Sequence, residues 1–158
     1  MIRVAILTIS DSCAQRKRED ISGQTIVDVL PKDRFEVCEK RIVADDHNAI
    51  ANELKFLSHK VAIDVVLTTG GTGLGPRDVT PEATRSVCER IVPGLSEIIR
   101  AEGRKRTKNA ILSRGIAAVR NKTLVINLPG SPKGVKESLE VVLDILPHAV
   151  DMMLGGSH

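Results

Sequence analysis

The chain has 158 residues, enough for a substantial core, and we expect residues 1–158 to form a single domain. Apolar residues make up 42% of the chain and charged residues 27%, which is typical of a globular protein. Two Phe are the only aromatic residues, so the core must be aliphatic and lacks the platforms on which nucleic-acid modules stack bases. The net charge of +3 is modest and also does not favour nucleic-acid binding.

The cysteines and the N-terminus favour a reducing compartment. Cys13, Cys38 and Cys88 are odd in number and form no CxxC pair, so neither a disulfide framework nor a zinc site is predicted. The first residues enter an apolar run without the charged region and cleavage site of a signal peptide, and no run is long enough to span a membrane. We therefore expect a cytoplasmic protein without a membrane partner.

The first part of the chain predicts alternating strands and helices. The β-branched run Arg3–Ser10 is typical of a buried parallel strand, and a short helix is predicted over Ser22–Leu30. A second strand is predicted over Arg34–Val43. Asp45 and Asp46, which follow it, can cap an amphipathic helix.

The alternation continues to the C-terminus. Val61–Thr69 is apolar almost throughout, as a central parallel strand should be. Thr80 as N-cap and Pro81 at the first helical position mark the clearest predicted helix start. The remaining predicted elements are a helix over Leu95–Lys105, strands over Ile116–Val119 and Leu124–Leu128 joined by a tight turn, a helix from Lys133 and a short helix from Pro147.

This alternation predicts a three-layer α-β-α sandwich with a mainly parallel sheet and one antiparallel strand from the late hairpin. Ligands of such sheets bind beyond the carboxyl ends of the strands. The polar segments that follow predicted strands are Ser10–Ser12, Asp45, Gly70–Gly75 and Pro129–Lys133. We therefore expect one cleft to collect them.

The glycine-rich loop after the third strand has the composition of an anion-binding site. Glycines permit positive φ and let backbone N–H groups approach phosphate oxygens closely. Arg77 is a potential bidentate phosphate ligand, and Asp78 is a hard oxygen ligand for magnesium just before a helix N-terminus. The residues expected to contact phosphate here are Gly70, Gly71, Thr72, Gly73 and Arg77.

Two familiar phosphate loops are excluded. No GK[ST] follows the glycines, so this is not a Walker A loop, and Pro76 stands where the last glycine of GxGxxG would fall. A simpler interpretation is a tight strand-to-helix connection in which Arg77 and Asp78 pair on the surface. The combination of glycines, arginine, aspartate and a Thr-Pro helix start behind a buried strand favours phosphate handling.

The segment Thr68–Thr84, TTGGTGLGPRDVTPEAT, resembles the signature of the Mog and MoaB family of molybdopterin-binding proteins. The likeness covers essentially the whole chain and is closest to the Mog type, because PRDVTPE follows the glycines, whereas inactive MoaB-type members lack that aspartate. Further segments in the family's order and spacing are ILTISDS (6–12), EDISG (19–23), ADD (44–46), ILSRG (111–115) and NLPGSPK (127–133).

The resemblance implies that AMP passes from Mg-ATP to the terminal phosphate of molybdopterin and that pyrophosphate leaves. The substrate phosphate attacks, which agrees with the lack of a Ser/His/Asp or Cys/His arrangement. A homotrimer, or a hexamer as in some relatives, and a separate downstream protein that inserts molybdate are also implied. Two alternatives stay open: a molybdopterin-binding or scaffolding protein of the MoaB type that does not adenylylate, and an α/β protein acting on another nucleotide or pterin.

The same resemblance implies residue roles. Asp78 matches the loop aspartate assigned to magnesium and catalysis, and Asp45 matches a second functional aspartate, although from the residues alone Asp45 would be a helix N-cap. The loop Cys13–Asp20 is where the chain departs most from the family, so its basic run Arg16–Arg18 receives no role. The positions matching the polar turn after the first strand, or those that hold the pterin or its phosphate, are Ser10, Asp11, Ser113, Pro129, Gly130, Ser131 and Lys133.

Overall fold

The strands of the computed structural model, which describes residues 1–59 and 62–156, belong to one six-stranded sheet. They are β1 (Ile2–Ile9), β2 (Phe35–Val43), β3 (Val65–Thr69), β4 (Arg90–Ile91), β5 (Ala117–Arg120) and β6 (Thr123–Leu128). The helices are α1 (Asp11–Ala14), α2 (Ile21–Val29), α3 (His47–His59), α4 (Thr80–Val87), α5 (Pro93–Arg104), α6 (Pro132–Val142) and α7 (Leu146–Met153), with a 3₁₀ turn at Lys108–Leu112. No helix in the described ranges is long and apolar enough to cross a membrane.

The strand order β2-β1-β3-β6-β5-β4 confirms the predicted α/β architecture. The first four strands of this order run parallel, and β5 runs antiparallel to both of its neighbours. The predicted hairpin is therefore present, and its turn contains Asn121 with a φ of 54°. The carboxyl ends of β1, β2, β3 and β6 consequently meet at one edge.

The core has two layers, one on each face of the sheet. Successive side chains of a strand point to opposite faces. Val4 and Ile6 of β1 accordingly pack with residues of α2, α5, α6 and α7, whereas Ala5, Leu7 and Ile9 pack with residues of α3 and α4. Because both faces of β1 are covered, its sequence is an almost unbroken apolar run.

Most predicted elements are present with ends shifted by a residue or two, as expected for helix and strand termini. The third strand is shorter than predicted: it begins at Val65, and Val61 lies outside the described residues. The elements that were not predicted are α1, β4 and the 3₁₀ turn. Each is too short to show a helical or strand period in sequence.

The predicted start of α4 is wrong by one residue. Thr80 was expected to be the N-cap, but it is the first helical residue, and Val79 precedes it without a side-chain cap. The Thr80 hydroxyl instead donates to the carbonyl oxygen of Gly70 at 2.9 Å, and its backbone N–H donates to Gly71 O at 3.1 Å. Thr80 therefore holds the glycine loop rather than the helix end.

Of the two aspartates predicted to cap α3, Asp46 does so. Its Oδ2 accepts from the backbone N–H of Ala49 at 2.9 Å. The Asp45 carboxylate turns away from the helix, and its Oδ2 accepts from the backbone N–H of Asp11 at 2.9 Å. The interpretation of Asp45 as a helix cap is therefore incorrect.

Replacing Asp46 by Ala should destabilise the fold by about 1 kcal/mol, because α3 loses its N-cap. The free energy of unfolding in urea measures this loss. Asp46→Asn is the matched control and should remain close to the parent chain, since Asn caps helices as well as Asp. An alanine variant as stable as the parent chain would contradict the assignment of the cap.

Candidate active site

The loops at the carboxyl edge of the sheet enclose two adjoining cavities of about 180 Å³ and 590 Å³. The turn Pro129–Pro132 borders both: Gly130 and Pro132 line the smaller cavity, and Pro129 and Ser131 line the larger one. The glycine loop is shared in the same way, with Gly70 and Gly71 on the smaller cavity and Thr72 and Gly73 on the larger one. The loops thus meet in one cleft.

The first two glycines of the loop are required by close packing as well as by conformation. Gly70 and Gly71 have φ values of 102° and 69°, which L side chains rarely adopt. A Cβ at Gly70 would lie 2.2 Å from the carbonyl oxygen of Ile9, and one at Gly71 would lie 2.2 Å from Thr80 Oγ1. The chain can therefore turn directly from β3 across the ends of β1 and α4 only with glycine at both positions.

Asp11 and Asp45 join the loops that follow β1 and β2. The backbone N–H of Asp11 donates to Asp45 Oδ2 at 2.9 Å, and the backbone N–H of Asp45 donates to Asp11 Oδ1 at 3.0 Å. Arg77 connects the loop after β3 to this pair. Its Nε and Nη2 donate to the two carboxylate oxygens of Asp11 at 3.1 and 3.0 Å. The Arg77 guanidinium, and then the N–H of Asp45, lower the pKa of Asp11.

Asp45 and Asp78 both line the smaller cavity. Burial, followed by the negative charges of Asp11 and Asp78, raises the pKa of Asp45, although the N–H of Asp11 opposes the shift. Asp78 Oδ2 accepts from the backbone N–H of Gly75 at 2.9 Å. Within the described ranges, the hydrogen bonds to both carboxylates use Oδ2 and leave Oδ1 for a ligand.

This pair suits a magnesium ion better than an all-protein metal cage. No group of three or more His, Cys, Asp or Glu side chains that could hold a metal occurs among the described residues. Magnesium keeps several waters and is commonly held by one or two carboxylates together with substrate phosphates. The available Oδ1 atoms of Asp45 and Asp78 fit that donor set.

Some of the other predicted residues line one of the two cavities, and three line neither. Ser113 lines the larger cavity, as does Ser131, whose Oγ also caps α6 by accepting from Gly134 N at 3.0 Å. Ser10 lines the smaller cavity, and its Oγ caps α1 by accepting from Cys13 N at 3.2 Å. Lys133 lines neither cavity and is exposed, with Nζ 3.9 Å from Glu137 Oε1. Asp11 and Arg77, bound to each other, also line neither.

Arg114 is a site residue that received no role from the sequence. Its Nε donates to the carbonyl oxygen of Gly73 at 2.8 Å, and its Nη2 donates to the carbonyl oxygen of Asp78 at 2.7 Å. Its Nη1 donates to Glu82 Oε1 at 2.6 Å, and its backbone N–H donates to Thr72 O at 2.8 Å. Arg114 therefore holds the glycine loop along its length, and its place in ILSRG was the only sequence signal.

The fold and the site define an α/β protein with a glycine-lined, carboxylate-bearing cleft suited to a phosphorylated ligand. A family model described as "Probable molybdopterin binding domain" matches residues 5–148. Molybdopterin adenylyltransferase of Helicobacter pylori strain J99 is 42% identical over 156 residues, which cover 98% of this chain and 89% of that protein. Molybdopterin adenylyltransferase of Escherichia coli K12 is 37% identical over 146 residues, which cover 90% and 74%.

Solved structures of similar proteins have the same fold as this chain. The crystal structure of the molybdopterin biosynthesis enzyme MoaB from Thermus thermophilus superposes with a TM-score of 0.92 and 48% identity over 98% of both chains. A structure of MogA superposes with a TM-score of 0.89 and 36% identity over 96% of this chain and 99% of that one. The chain belongs to the molybdopterin-binding domain family, and the resemblance inferred from its motifs is confirmed.

Arg114→Gln should destabilise the fold by about 2 kcal/mol, because charge-assisted hydrogen bonds to the loop and to Glu82 are lost. Amide hydrogen exchange should rise most in residues 70–78. Urea unfolding and exchange mass spectrometry measure the two effects. Lys105→Gln, which breaks an exposed pair with Glu102, should cost less than about 1 kcal/mol and leave the loop unchanged.

Asp45→Asn should raise the melting temperature at neutral pH but not at about pH 3. The pKa of Asp45 is higher in the folded than in the unfolded chain, so its ionisation opposes folding. This penalty is absent below the pKa that Asp45 has in the unfolded chain. It grows as the pH rises through the pKa that Asp45 has in the folded chain. Melting curves across this range measure it, with Asp46→Asn as a control of equal charge. A uniform gain at all pH values would refute the electrostatic cause.

Proposed function

We propose that the chain acts in molybdenum cofactor biosynthesis by transferring AMP from ATP to the terminal phosphate of molybdopterin, with release of pyrophosphate. Relatives named molybdopterin adenylyltransferase, between 36% and 42% identical to most of this chain, support the reaction. The observation that carries it is the pair Asp45 and Asp78 in one cavity beside the glycine loop. A protein that only bound the pterin would have no need of these opposed carboxylates.

The two cavities accommodate the two substrates. The larger one has the volume of a small-molecule site and takes the pterin, with Ser113 and Ser131 among its polar groups. The smaller one takes the phosphates of ATP. The glycine loop and the turn Pro129–Pro132 border both cavities, so the acceptor phosphate of molybdopterin and the α-phosphate of ATP meet there.

The reaction requires positioning and charge neutralisation rather than a covalent enzyme intermediate. A terminal phosphate oxygen of molybdopterin forms a bond to the α-phosphorus, and the bond from that phosphorus to the β-bridging oxygen breaks. Magnesium, when bound through Asp45 and Asp78, supplies positive charge to the reacting phosphates. Backbone N–H groups of the glycine loop supply further donors.

Arg77 and Asp11 are positioning residues in this proposal. Their bidentate pair fixes the Asp11 carboxylate that accepts from the backbone N–H of Asp45. Arg77 therefore acts on phosphate through Asp45 rather than by direct contact. Lys133, exposed at the start of α6, would reach a ligand only by leaving Glu137.

The proposal extends to assembly and location: a cytoplasmic enzyme of one domain, residues 1–158, that forms a homotrimer or hexamer and passes its product to a molybdate-inserting protein. Ile111 supports association, because it is 55% exposed and apolar surface of this kind is covered in oligomer interfaces. Light scattering coupled to gel filtration measures the assembly state.

Pyrophosphate release tests the activity. Purified protein supplied with Mg-ATP and molybdopterin should release pyrophosphate and form the AMP conjugate, and chelation of magnesium should stop both. Binding of molybdopterin without a product would favour the MoaB-type scaffold. Turnover of another pterin or nucleotide would favour the third alternative.

Asp78→Asn should lower the turnover number by about a hundredfold or more, because a ligand of the charge-neutralising cation is lost. The dissociation constant for molybdopterin should stay within about threefold, a free-energy change under about 1 kcal/mol. Steady-state kinetics and fluorescence titration measure the two quantities. Asp46→Asn, which removes a nearby charge outside the cavity, should retain full turnover. Equal losses of binding and turnover in Asp78→Asn would argue against the magnesium role.

A further inference from the structure

The basic run Arg16–Arg18 lies beside the smaller cavity. Arg18 is one of its lining residues, together with Asp45 and Asp78. The run has a defined conformation: Arg16 has a φ of 58°, and the backbone N–H groups of Arg16 and Lys17 donate to Cys13 O at 3.1 Å and Ser12 O at 2.9 Å. Hydrogen bonds to α1 therefore hold the backbone that carries these cations next to the cavity.

Arg18 differs in charge from the other ionisable residues that line the smaller cavity. Among the described residues that line the cavity, Arg18 is the only cation, whereas Glu19, Asp20, Asp45 and Asp78 are acidic. Both Asp20 oxygens already accept hydrogen bonds, because Gly23 N donates to Oδ1 at 2.8 Å and Thr8 Oγ1 donates to Oδ2 at 2.7 Å. Arg77 is bound to Asp11 and supplies no free positive charge.

The three basic side chains are available to an anion. In the described ranges, none of Arg16, Lys17 and Arg18 makes an ion pair within 4.0 Å. Ile21 and Ser22, the first residues of the nine-residue helix α2, also line the cavity. The N-terminus of α2, which Asp20 caps, therefore borders the same cavity as Arg18.

We propose that Arg18, preceded in the chain by Arg16 and Lys17, forms the subsite for the β- and γ-phosphates of ATP, which leave as pyrophosphate. This rests on the proposed adenylylation. In an in-line displacement the leaving group lies opposite the attacking oxygen. The attacking phosphate enters from the larger cavity, and Arg18 lines only the smaller one.

The charge that develops during transfer explains what the subsite does. As the bond from the α-phosphorus to the β-bridging oxygen breaks, its electron pair stays on that oxygen and adds negative charge to the pyrophosphate. The Arg18 guanidinium donates charge-assisted hydrogen bonds to this group and lowers its energy in the transition state. AMP lacks both phosphates and therefore gains nothing from Arg18.

The test is Arg18→Gln, studied with inorganic pyrophosphate and with AMP as separate ligands. The dissociation constant for magnesium pyrophosphate, the KM for ATP and the inhibition constant for pyrophosphate should each rise about tenfold, and the affinity for AMP should stay unchanged. Arg18→Lys should recover part of the loss, because it keeps the charge without the guanidinium fork. Arg90→Gln on β4, the edge strand farthest from β2 in the sheet order, should match the parent chain.

The possible outcomes distinguish failure of this subsite proposal from failure of the proposed function. Unchanged pyrophosphate affinity in Arg18→Gln, alongside a parent chain that forms the AMP conjugate, overturns the subsite alone. A parent chain that forms no conjugate overturns the proposed function, while calorimetric titration with pyrophosphate still decides the role of Arg18. Equal weakening of AMP and pyrophosphate would also overturn the subsite, because it would indicate a general disturbance of the cavity.

Discussion

The candidate site depends on the reciprocal hydrogen bonds between Asp11 and Asp45. Each aspartate accepts from the other's backbone N–H, so each loop fixes the carboxylate of its neighbour. Arg77 brings in the loop after β3 through Asp11, and Arg114 holds that loop from its other side at Gly73 and Asp78. Loops at the edge of a parallel sheet lack the ladder hydrogen bonds of the strands, and these side chains replace them. Ion pairs and capped turns, rather than the apolar core, therefore determine the geometry of the cleft.

This arrangement concentrates negative charge where the proposed chemistry takes place. The Asp11 carboxylate is stabilised by Arg77, whereas Asp45 is partly buried beside Asp11 and Asp78 and its pKa is raised. Perturbed acids in a cleft are characteristic of functional sites, where stability is given up for chemistry. A cation held between Asp45 and Asp78 would remove the repulsion, so binding of metal and substrate would also rigidify the loops.

Sequence patterns predicted the elements whose form is set by local rules. The doubly buried strands, the amphipathic helices and the hairpin follow from apolar periodicity and turn residues.

Sequence patterns did not predict the hydrogen-bond partners of polar side chains. Thr80 looks like an N-cap because threonine is a preferred cap residue and Pro-Glu follows it, but its hydroxyl bonds to the carbonyl of Gly70 instead. Likewise Asp45 and Asp46 are equivalent in sequence, and only the position of Asp11 distinguishes the residue that lines the cavity from the residue that caps α3. Arg114 lies 36 residues from Asp78, a contact no local pattern encodes.

The fold by itself does not decide between an enzyme and a binding protein, because one fold can carry several functions. Electrostatics separates the two. A site selected only to bind a phosphate would be lined by cations and N–H donors, yet the smaller cavity is also lined by the carboxylates of Asp45 and Asp78. Two carboxylates oppose a phosphate unless a divalent cation joins them, and such a cation is what transfer between two phosphates requires. The acidic pair is therefore an argument for catalysis that does not depend on the names of the relatives.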